Sequence, residues 1–318
     1  MKKKKLLILG ASGFIGKNLA IYFSKKKNFQ VTGTYFCKKT FIKNVKVVQC
    51  DLTKKKEADK VIKGTDIVIQ AAASTSGAKD ILARPYIHVN DNAIINSMVT
   101  RSAYDYKIKH VLVFSCSIMY KSSKKPLKET DFNPDENMYP NYFGAGWMKV
   151  FVEKMCEFYS RLGKNKYTLI RHSNIYGPYD KFDLEKSHVL AASVNKIINC
   201  KNNKVTIWGD GKEERDLLFI SDLINFVDLA IKKQKNKYEL YNVGSGQLIS
   251  INGLIKKIIK ICNKKITPTN DLTKKSLKTF VCLNCQKAKK EFQWFPKISL
   301  ENGIKKTIDW YLKNKDHA

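Results

Sequence analysis

The sequence has no apolar run long enough to cross a membrane, which would need about 18 to 20 consecutive apolar residues. Met1–Lys5, which is rich in lysine, followed by the apolar Leu6–Leu9 looks like the start of a signal peptide, but this apolar run is too short and ends in a glycine turn. We therefore expect a cytoplasmic protein. Its 318 residues, 43% of them hydrophobic, suffice for one large α/β domain or for such a domain with a smaller lobe.

The sequence also lacks a set of residues spaced to hold a metal ion. Of its eight cysteines, only Cys282 and Cys285 have a C-x-x-C spacing, and neither a second pair nor a nearby histidine completes a zinc site. We therefore predict no metal. Reduced thiols are the ordinary state of cysteines in a cytoplasmic protein.

Acidic residues are scarce: 28 Asp and Glu stand against 59 Lys and Arg, which gives a net charge of +31. Such a charge can attract nucleic acid. The lysines, however, are scattered over the whole chain in short runs, with no arginine-rich arm and no basic motif interleaved with aromatic residues. We therefore predict no nucleic-acid partner and interpret the charge as a solvated surface, which would also favour an anionic small substrate.

What the sequence does contain is a strand, a glycine turn and a helix close to its start. Leu6–Leu9 has no polar break, which is typical of a strand buried on both faces of a parallel sheet. Gly10, Gly13 and Gly16 follow at G-x-x-G-x-x-G spacing, and residues 17–23 continue with helical periodicity. This order places backbone N–H groups and the positive end of a helix dipole against a diphosphate, so it predicts a dinucleotide site. The alternative is a tight turn that merely packs the helix on the strand.

Short strands and helices alternate further along the chain. Strands are predicted at residues 29–36, 45–52, 66–73 and 109–117. This alternation predicts an α/β fold: a Rossmann-type doubly wound parallel sheet with a smaller C-terminal α/β lobe for the substrate. We expect the dinucleotide-binding domain to span residues 1–180 and to receive a later segment at about 212–245. Residues 181–318 should form mainly the substrate-binding lobe, over the carboxyl ends of the strands.

The tip of the predicted second strand bears on the choice of cofactor. In NAD-binding folds an acidic residue there accepts hydrogen bonds from the ribose hydroxyls. This chain has Tyr35 at the tip, with Lys38 and Lys39 just beyond. Since lysines attract a 2′-phosphate and no carboxylate repels it, we predict NADP in preference to NAD. The alternative is that both lysines merely belong to a lysine-rich surface.

Several motifs occur in an order that is specific for one family. They are Gly10-x-x-Gly13-x-x-Gly16, Asp51-Leu52, Ala71-Ala72-Ala73, residues 115–120, residues 171–178 and residues 215–222. Over essentially its full length the chain resembles the extended short-chain dehydrogenases/reductases, and among them the NAD(P)-dependent nucleotide-sugar epimerases and dehydratases. Residues 176–182 and 187–189 resemble the substrate loop of the GDP-fucose synthases within that family.

The resemblance draws attention to a missing tyrosine. Hydride chemistry at a sugar carbon needs a proton donor or acceptor at the oxygen, and the family uses a tyrosine that is followed four residues later by a lysine. Lys149 is in register with that lysine, but Ala145 occupies the tyrosine position. Tyr142 precedes Lys149 by seven residues, roughly 10 Å along a helix, too far for the usual couple. We interpret Ala145 as an active-site Tyr→Ala variant that stalls turnover; the alternative is a naturally tyrosine-free member, weakened or repurposed.

The end of the strand predicted at 109–117 discriminates among the reactions of the family. Ser117 is the candidate hydroxyl for the sugar oxygen, with Ser115 and Cys116 as alternatives because the strand end admits a shift of one residue. Ile118 and Met119 follow, where a 4,6-dehydratase of this family carries an acid pair. The sequence therefore disfavours dehydration.

A histidine in the substrate loop bears on epimerisation. His188 matches the histidine with which GDP-fucose synthases, together with a cysteine, epimerise two carbons beside a ketone. The position of that cysteine is Ile118, so the likeness does not extend to double epimerisation. A lone histidine before the apolar residues 189–192 would otherwise serve equally well as a core residue.

The resemblance implies three sets of site residues. The cofactor set is Gly10, Ser12, Gly13, Phe14, Ile15, Gly16, Tyr35, Lys38, Asp51, Leu52, Ala71, Ala72, Ala73, Lys149, His172 and Asn174. The substrate set is Ser117, Asn174, His188, Val189, Trp208, Arg215 and Lys278. The catalytic set is Cys116, Ser117, Ala145 in place of the tyrosine, Lys149 and His188. In the substrate set, a guanidinium can grip a diphosphate through two parallel hydrogen bonds.

We therefore expect NADP-dependent reduction of a 4-keto-6-deoxy nucleotide sugar, with GDP favoured as the nucleotide and with or without epimerisation of an adjacent carbon. The alternatives are an NAD-dependent nucleotide-sugar 4-epimerase and a catalytically silent protein that binds nucleotide sugar or NADP.

The resemblance also implies a homodimer, because the family often forms homodimers through two helices, here around residues 94–101 and 150–159. Phe151, Met155 and Phe158 suit either that interface or core packing.

Overall fold

The computed structural model describes residues 2–75, 78–136, 138–184 and 187–315. The strands are β1 (Lys4–Leu9), β2 (Phe29–Tyr35), β3 (Lys46–Gln49), β4 (Ile67–Gln70), β5 (His110–Cys116), β6 (Ser123–Leu127), β7 (Lys166–His172), β8 (Asn174–Tyr176), β9 (Lys204–Trp208), β10 (Glu214–Phe219), β11 (Tyr238–Val243), β12 (Leu248–Ser250), β13 (Thr267–Asp271) and β14 (Val281–Leu283). The helices are α1 (Phe14–Ser24), α2 (Lys55–Ile62), α3 (Ala78–Ala83), α4 (Asn90–Asp105), α5 (Phe143–Leu162), α6 (Val189–Ile198), α7 (Ile220–Lys233), α8 (Ile251–Ile261), α9 (Gln286–Phe292) and α10 (Leu300–Lys313).

The main sheet has the strand order β11-β7-β5-β4-β1-β2-β3, and every neighbouring pair in it is parallel. The order reverses beside β1, so β1 and β4 flank the crevice where the chain changes direction across the sheet. In open α/β sheets, ligands bind at such a switch point, outside the carboxyl ends of the strands. The predicted doubly wound parallel sheet is confirmed.

Both faces of the sheet are covered, because the side chains of each strand alternate between two cores. Leu6 and Ile8 of β1 point into a core shared with α1 and α7. Leu7 and Leu9 point to the opposite side, into a core shared with α2, α4 and α5. All four side chains are at most 1% exposed. An uninterrupted apolar strand is what a sheet covered on both faces requires.

A second group of elements stands over the carboxyl edge of the main sheet. β10 pairs with β8 in parallel and with β12 in antiparallel fashion, while β9 pairs with β13 and β6 with β14. Ser250 is the N-cap of α8, and its hydroxyl accepts a hydrogen bond from the Gly253 N–H. The buried α8 residues Ile251, Leu254, Ile255 and Ile258 form one apolar stripe at helical spacing. This stripe fixes α8 against the rest of the molecule and completes one wall of the crevice.

α5 carries both Ala145 and Lys149. A single 3₁₀ turn, Pro140–Tyr142, leads directly into it. Two glycines near its start serve close packing, since a Cβ at Gly146 would lie 2.5 Å from Met138 Sδ and one at Gly144 would lie 3.0 Å from Val89 Cγ2. Ala145 and Lys149 therefore lie on the same regular helix. Among the helices of the described residues, none has the length and apolar character of a membrane span.

Candidate active site

The turn between β1 and α1 is shaped as a cradle for a diphosphate. Gly10 has φ +78°, and a Cβ there would lie 2.6 Å from Ala72 Cα. A Cβ at Gly16 would lie 2.1 Å from the Gly10 carbonyl oxygen, whereas Gly13 stands open, its nearest neighbour 3.4 Å away. Gly13 caps α1 without any side-chain hydrogen bond, so the first N–H groups of the helix face outward. The residues present fit the diphosphate of a nicotinamide dinucleotide.

The predicted adenosine end lies beside this cradle. Thr34 Oγ1 accepts from the Gly10 N–H at 3.0 Å, which ties β2 to the turn. Asp51 follows β3 and accepts from the Thr53 N–H at 3.0 Å and from its hydroxyl at 2.6 Å. Those two bonds, chiefly the one from the hydroxyl, lower the pKa of the Asp51 carboxyl. The ionised carboxylate can accept from an adenine amino group.

Lys38 follows the tip of β2, and its charge acts on Lys17 of α1. Burial lowers the pKa of Lys17, and the charge of Lys38 lowers it further. Two ammonium groups close enough to repel each other would both gain from an anion between them. Tyr35 is half-buried, and Lys38 is exposed.

The main cleft opens beside the cradle and is lined by all five residues of the predicted catalytic set. Its volume is about 270 Å³, and Phe14 and Ile15 at the start of α1 line it together with Cys116, Ser117, Ala145, Lys149, His172, Asn174 and His188. Lys149 Nζ donates to the Phe114 carbonyl oxygen at 2.9 Å, so the ammonium is held at the carboxyl end of β5. The structure therefore brings the glycine cradle, Lys149 and the end of β5 to one place.

The end of β5 distinguishes the three candidate groups for the sugar oxygen. Ser115 is fully buried, and its hydroxyl donates to Glu153 Oε1 at 2.6 Å, away from the cleft. Cys116 and Ser117 both line the cleft. Burial raises the pKa of the Cys116 thiol, so it stays protonated and can donate a hydrogen bond. Ile118 lines the cleft as an apolar side chain.

Three histidines line the cleft, His88, His172 and His188, and burial lowers the pKa of each, which favours the neutral form. His172 Nδ1 lies 2.7 Å from the Ser173 carbonyl oxygen, to which it donates, and burial lowers the His172 pKa to about 4. His188 borders the open space of the cleft, and the surrounding protein lowers its pKa, as does the charge of Lys181. A neutral imidazole can either accept or give a proton.

A second cleft, of about 200 Å³, continues from the first. Asn174, His188 and Arg215 line both clefts, and Val189 and Trp208 line the second. With Ser117 in the first cleft, six members of the predicted substrate set thus lie along one continuous space. Lys278 lies on the exposed loop before β14 and borders a third depression, which shares Asn141 with the first cleft and Lys275 and Ser276 with the second, so its contact with the substrate stays a prediction.

The Arg215 guanidinium already makes three hydrogen bonds within the protein. Its Nη1 donates to the carbonyl oxygens of Thr279 at 2.6 Å and Glu214 at 2.8 Å, and its Nη2 donates to that of Leu277 at 2.8 Å. Only the remaining N–H groups can reach a ligand. The predicted two-bond grip on a diphosphate is therefore restricted, because the guanidinium also holds the loop before β14.

Tyr142 is the cleft residue that sequence reasoning set aside. It is half-buried and lines both clefts. The distance between Tyr142 and Lys149 along the helix axis argues against Tyr142 as the usual tyrosine. Positions 142, 145 and 149 nevertheless have i, i+3, i+7 spacing, which places them on one face of a helix. This spacing is the signal that could have found it.

A cradle for a dinucleotide diphosphate, joined to a cleft with a lysine, a thiol and neutral histidines, defines an enzyme of the class that works with a nicotinamide cofactor. The sequence profile of the NAD dependent epimerase/dehydratase family matches residues 6–244. The chain belongs to this family, and the predicted family and enzyme class are confirmed.

Two curated relatives match this chain over nearly its full length. The chain is 29% identical to the GDP-L-colitose synthase of Yersinia pseudotuberculosis, covering 98% of this chain and 99% of the relative. It is 27% identical to a GDP-L-fucose synthase of Azorhizobium caulinodans, covering 99% and 98%. Among solved structures it is similar to the UDP-glucose 4-epimerase of Thermotoga maritima with UDP-glucose, with a TM-score of 0.86, 23% identity and coverage of 97% and 99%. At that identity the likeness shows the fold alone.

Proposed function

We propose that this enzyme reduces a 4-keto-6-deoxy nucleotide sugar, with GDP as the nucleotide and NADPH as the reductant. The observation that carries the proposal is the end of β5, where Cys116 and Ser117 face the cleft and are followed by apolar side chains. Ile118 lines the cleft, and Met119 is 2% exposed. Groups that can hydrogen-bond a sugar oxygen are therefore present, without an acid pair that would expel water. The full-length likeness to GDP-L-colitose and GDP-L-fucose synthases supports the choice of nucleotide.

The residues of the cleft have separate roles in the proposed reaction. A bound reduced nicotinamide dinucleotide would supply the hydride, with its diphosphate on the turn at Gly13 and its nicotinamide ribose against Lys149. Cys116 and Ser117 donate hydrogen bonds to the sugar oxygen. His188 stands where it can move a proton at a carbon beside the ketone, and Ile118 offers no second titratable group. We therefore propose epimerisation of one centre at most.

The proposal is tested with GDP-, CDP-, UDP- and dTDP-4-keto-6-deoxy sugars, by following NADPH oxidation and analysing the product. We expect oxidation with the GDP-sugar in the parent chain or, where Ala145 stalls turnover, in Ala145→Tyr, and a product with no more than one inverted centre. Recovery of the protein with tightly bound oxidised cofactor, and interconversion of UDP-sugars without net oxidation, would favour the 4-epimerase instead. Binding of nucleotide sugar and NADPH with no turnover, also after Ala145→Tyr, would favour a silent binding protein.

Cofactor choice gives a first mutational prediction. Lys38→Glu is expected to weaken NADPH binding roughly tenfold or more while changing NADH binding little, since an ion pair with the 2′-phosphate is lost and a repulsion replaces it. Fluorescence titration of both reduced cofactors measures the two affinities. Lys313→Glu, at an exposed position of α10, controls for the general change in charge. Equal losses for NADPH and NADH would contradict a 2′-phosphate site.

We propose a homodimer formed through α4 and α5. Apolar side chains stand exposed on these helices: Ile94 at 42%, Phe151 at 46% and Phe158 at 55%. Phe151 and Phe158 are thus not core residues, and exposed large apolar side chains on adjacent helices mark an interface.

The eight free cysteines suit a reducing compartment, which agrees with a cytoplasmic enzyme.

The double substitution Phe151→Glu/Phe158→Glu is expected to convert the dimer into a monomer, because charges would be buried in the interface. Analytical ultracentrifugation measures the mass. Leu312→Glu is the matched control, since Leu312 is 55% exposed on α10 and lies outside the proposed interface. A monomeric parent chain would refute the dimer directly.

A further inference from the structure

The alanine at position 145 raises the question of which group gives a proton to the sugar oxygen. Among the described residues, the main cleft is lined by a single phenol, that of Tyr142. Because the same residue also lines the second cleft, its side chain stands at the junction of the two. That junction is where the sugar of a nucleotide sugar would lie if its nucleotide occupied the second cleft and the nicotinamide the first.

The backbone holds Tyr142 firmly at this junction. The residue ends the 3₁₀ turn Pro140–Tyr142 and caps α5, with φ −101° and ψ −1°. Its ring packs on Tyr139, with the centroids 5.6 Å apart and the planes inclined at 56°. The hydroxyl interacts with the Thr279 side chain, and the charge of Arg215 is close enough to act on it. Tyr142 is therefore oriented from several sides.

Tyr142 and Lys149 lie on one side of α5 although they are seven positions apart. Two turns of a helix bring positions 142 and 149 back to the same side, with Ala145 between them. Long side chains on a helix lean toward its N-terminus, so the Lys149 side chain extends in the direction of Tyr142. Cys116 lines the same cleft as Tyr142 and Lys149.

We infer that Tyr142 is the catalytic proton donor to the sugar oxygen in this chain, taking the part that a tyrosine at position 145 would play, while Lys149 holds the cofactor. The inference rests on the proposed reductase function. In the step, the ketone carbon receives the hydride of the reduced nicotinamide and the C=O π electrons move onto the oxygen. That oxygen takes the proton of the Tyr142 hydroxyl, and the phenolate left behind regains a proton from water in the open cleft.

Tyr142 is in the protonated form that a proton donor needs. Burial raises the pKa of Tyr142, and the Arg215 charge and the Thr279 hydrogen bond only partly oppose it. A raised pKa makes the phenol a weaker acid, but the alkoxide-like sugar oxygen that forms as the hydride arrives is a stronger base than a phenolate, so the proton moves from the phenol to the sugar oxygen. The small Ala145 side chain leaves the space that a Tyr142 hydroxyl and a sugar ring need.

The test uses Tyr142→Phe in the full chain, with Tyr139→Phe as the matched control. Both substitutions remove one hydroxyl and keep the ring, and Tyr139 borders neighbouring depressions rather than the main cleft. We expect Tyr142→Phe to lower kcat for reduction roughly 10²- to 10³-fold, the range of a lost general acid. Tyr139→Phe should stay within about twofold. The limb of the kcat pH profile that reports the phenol should disappear with Tyr142→Phe alone.

Binding measurements separate catalysis from structure. The affinities of Tyr142→Phe for NADPH and for GDP-sugar should match those of the parent chain, because the ring and backbone remain. A loss of binding equal to the loss of kcat would show a merely structural hydroxyl and overturn the inference.

Ala145→Tyr separates the inference from the proposed function. If Tyr142 is the donor, the parent chain is active and Ala145→Tyr gains little. Activity in Ala145→Tyr together with an inactive parent chain would overturn the role of Tyr142 and leave the reductase proposal standing. Inactivity of both chains with every keto sugar would overturn the proposed function, and this inference with it.

Discussion

Glu153→Ala is expected to lower the free energy of unfolding by about 3–5 kcal/mol, because it leaves a buried guanidinium without its counter-ion. Arg171 and Glu153 form a two-bond ion pair, Nε to Oε1 at 2.9 Å and Nη2 to Oε2 at 2.6 Å. Each side chain is 4% exposed. Urea unfolding of the parent and the variant measures the difference.

The pair belongs to a larger polar network beneath the cleft. Ser115 donates to Glu153 Oε1 at 2.6 Å, and Arg171 Nη1 donates to the Tyr120 hydroxyl at 2.8 Å. The Tyr120 hydroxyl in turn donates to Asn242 Oδ1 at 2.9 Å. The network joins α5 to strands β5, β7 and β11. It fixes the position of α5 one turn beyond Lys149, so we also expect Glu153→Ala to weaken cofactor binding.

The helix itself supplies the control for this prediction. Glu157 lies one turn further along α5 and pairs with Lys154 and Arg161, whose side chains are both 75% exposed. Glu157→Ala should cost no more than about 1 kcal/mol, as is usual for surface pairs. The double variant Glu153→Leu/Arg171→Met should be more stable than Glu153→Ala, because it removes both charges. Equal effects at positions 153 and 157 would contradict the buried network.

The sequence pattern predicts the main sheet well because its strands are apolar on both faces. The boundaries are less accurate where the chain leaves the sheet to build the site. The fourth strand is predicted to reach residue 73, but β4 ends at Gln70. Ala71 still donates to the Leu9 carbonyl oxygen at 3.1 Å, after which Ala72 turns against Gly10. Close contact with the glycine turn replaces strand pairing there.

The parts of the candidate site that could be predicted from the sequence are those defined by a motif within one short segment. The glycine turn and the register of Lys149 are two such parts, and the structure places both at the same edge of the sheet. The orientation of side chains that depend on distant segments was not predictable. Ser115 turns inward because Glu153 accepts its hydrogen bond, Arg215 is occupied by the loop before β14, and Tyr142 enters the cleft because a 3₁₀ turn precedes α5.

Lys149→Met is expected to lower kcat about 10²- to 10³-fold and to weaken NADPH binding, whichever residue gives the proton. The ammonium is held at 2.9 Å from the Phe114 carbonyl oxygen, which leaves its other two protons for the cofactor ribose. Methionine fills nearly the same space without any donor, so the effect measures the hydrogen bonds and the charge rather than packing. The readouts are NADPH fluorescence titration and turnover with the proposed GDP-4-keto-6-deoxy sugar.

Lys154→Met is the matched control, because Lys154 lies on the same helix with its side chain 75% exposed and bonds only Glu157 among the described residues. It should leave both readouts within about twofold. The combination with Tyr142→Phe adds a sharper test. If Lys149 and Tyr142 act in one step, the double variant should lose less than the product of the two single losses, since groups that work as a unit are not additive. Multiplicative losses, or unchanged NADPH affinity in Lys149→Met, would show that the lysine does not hold the cofactor beside the proton donor.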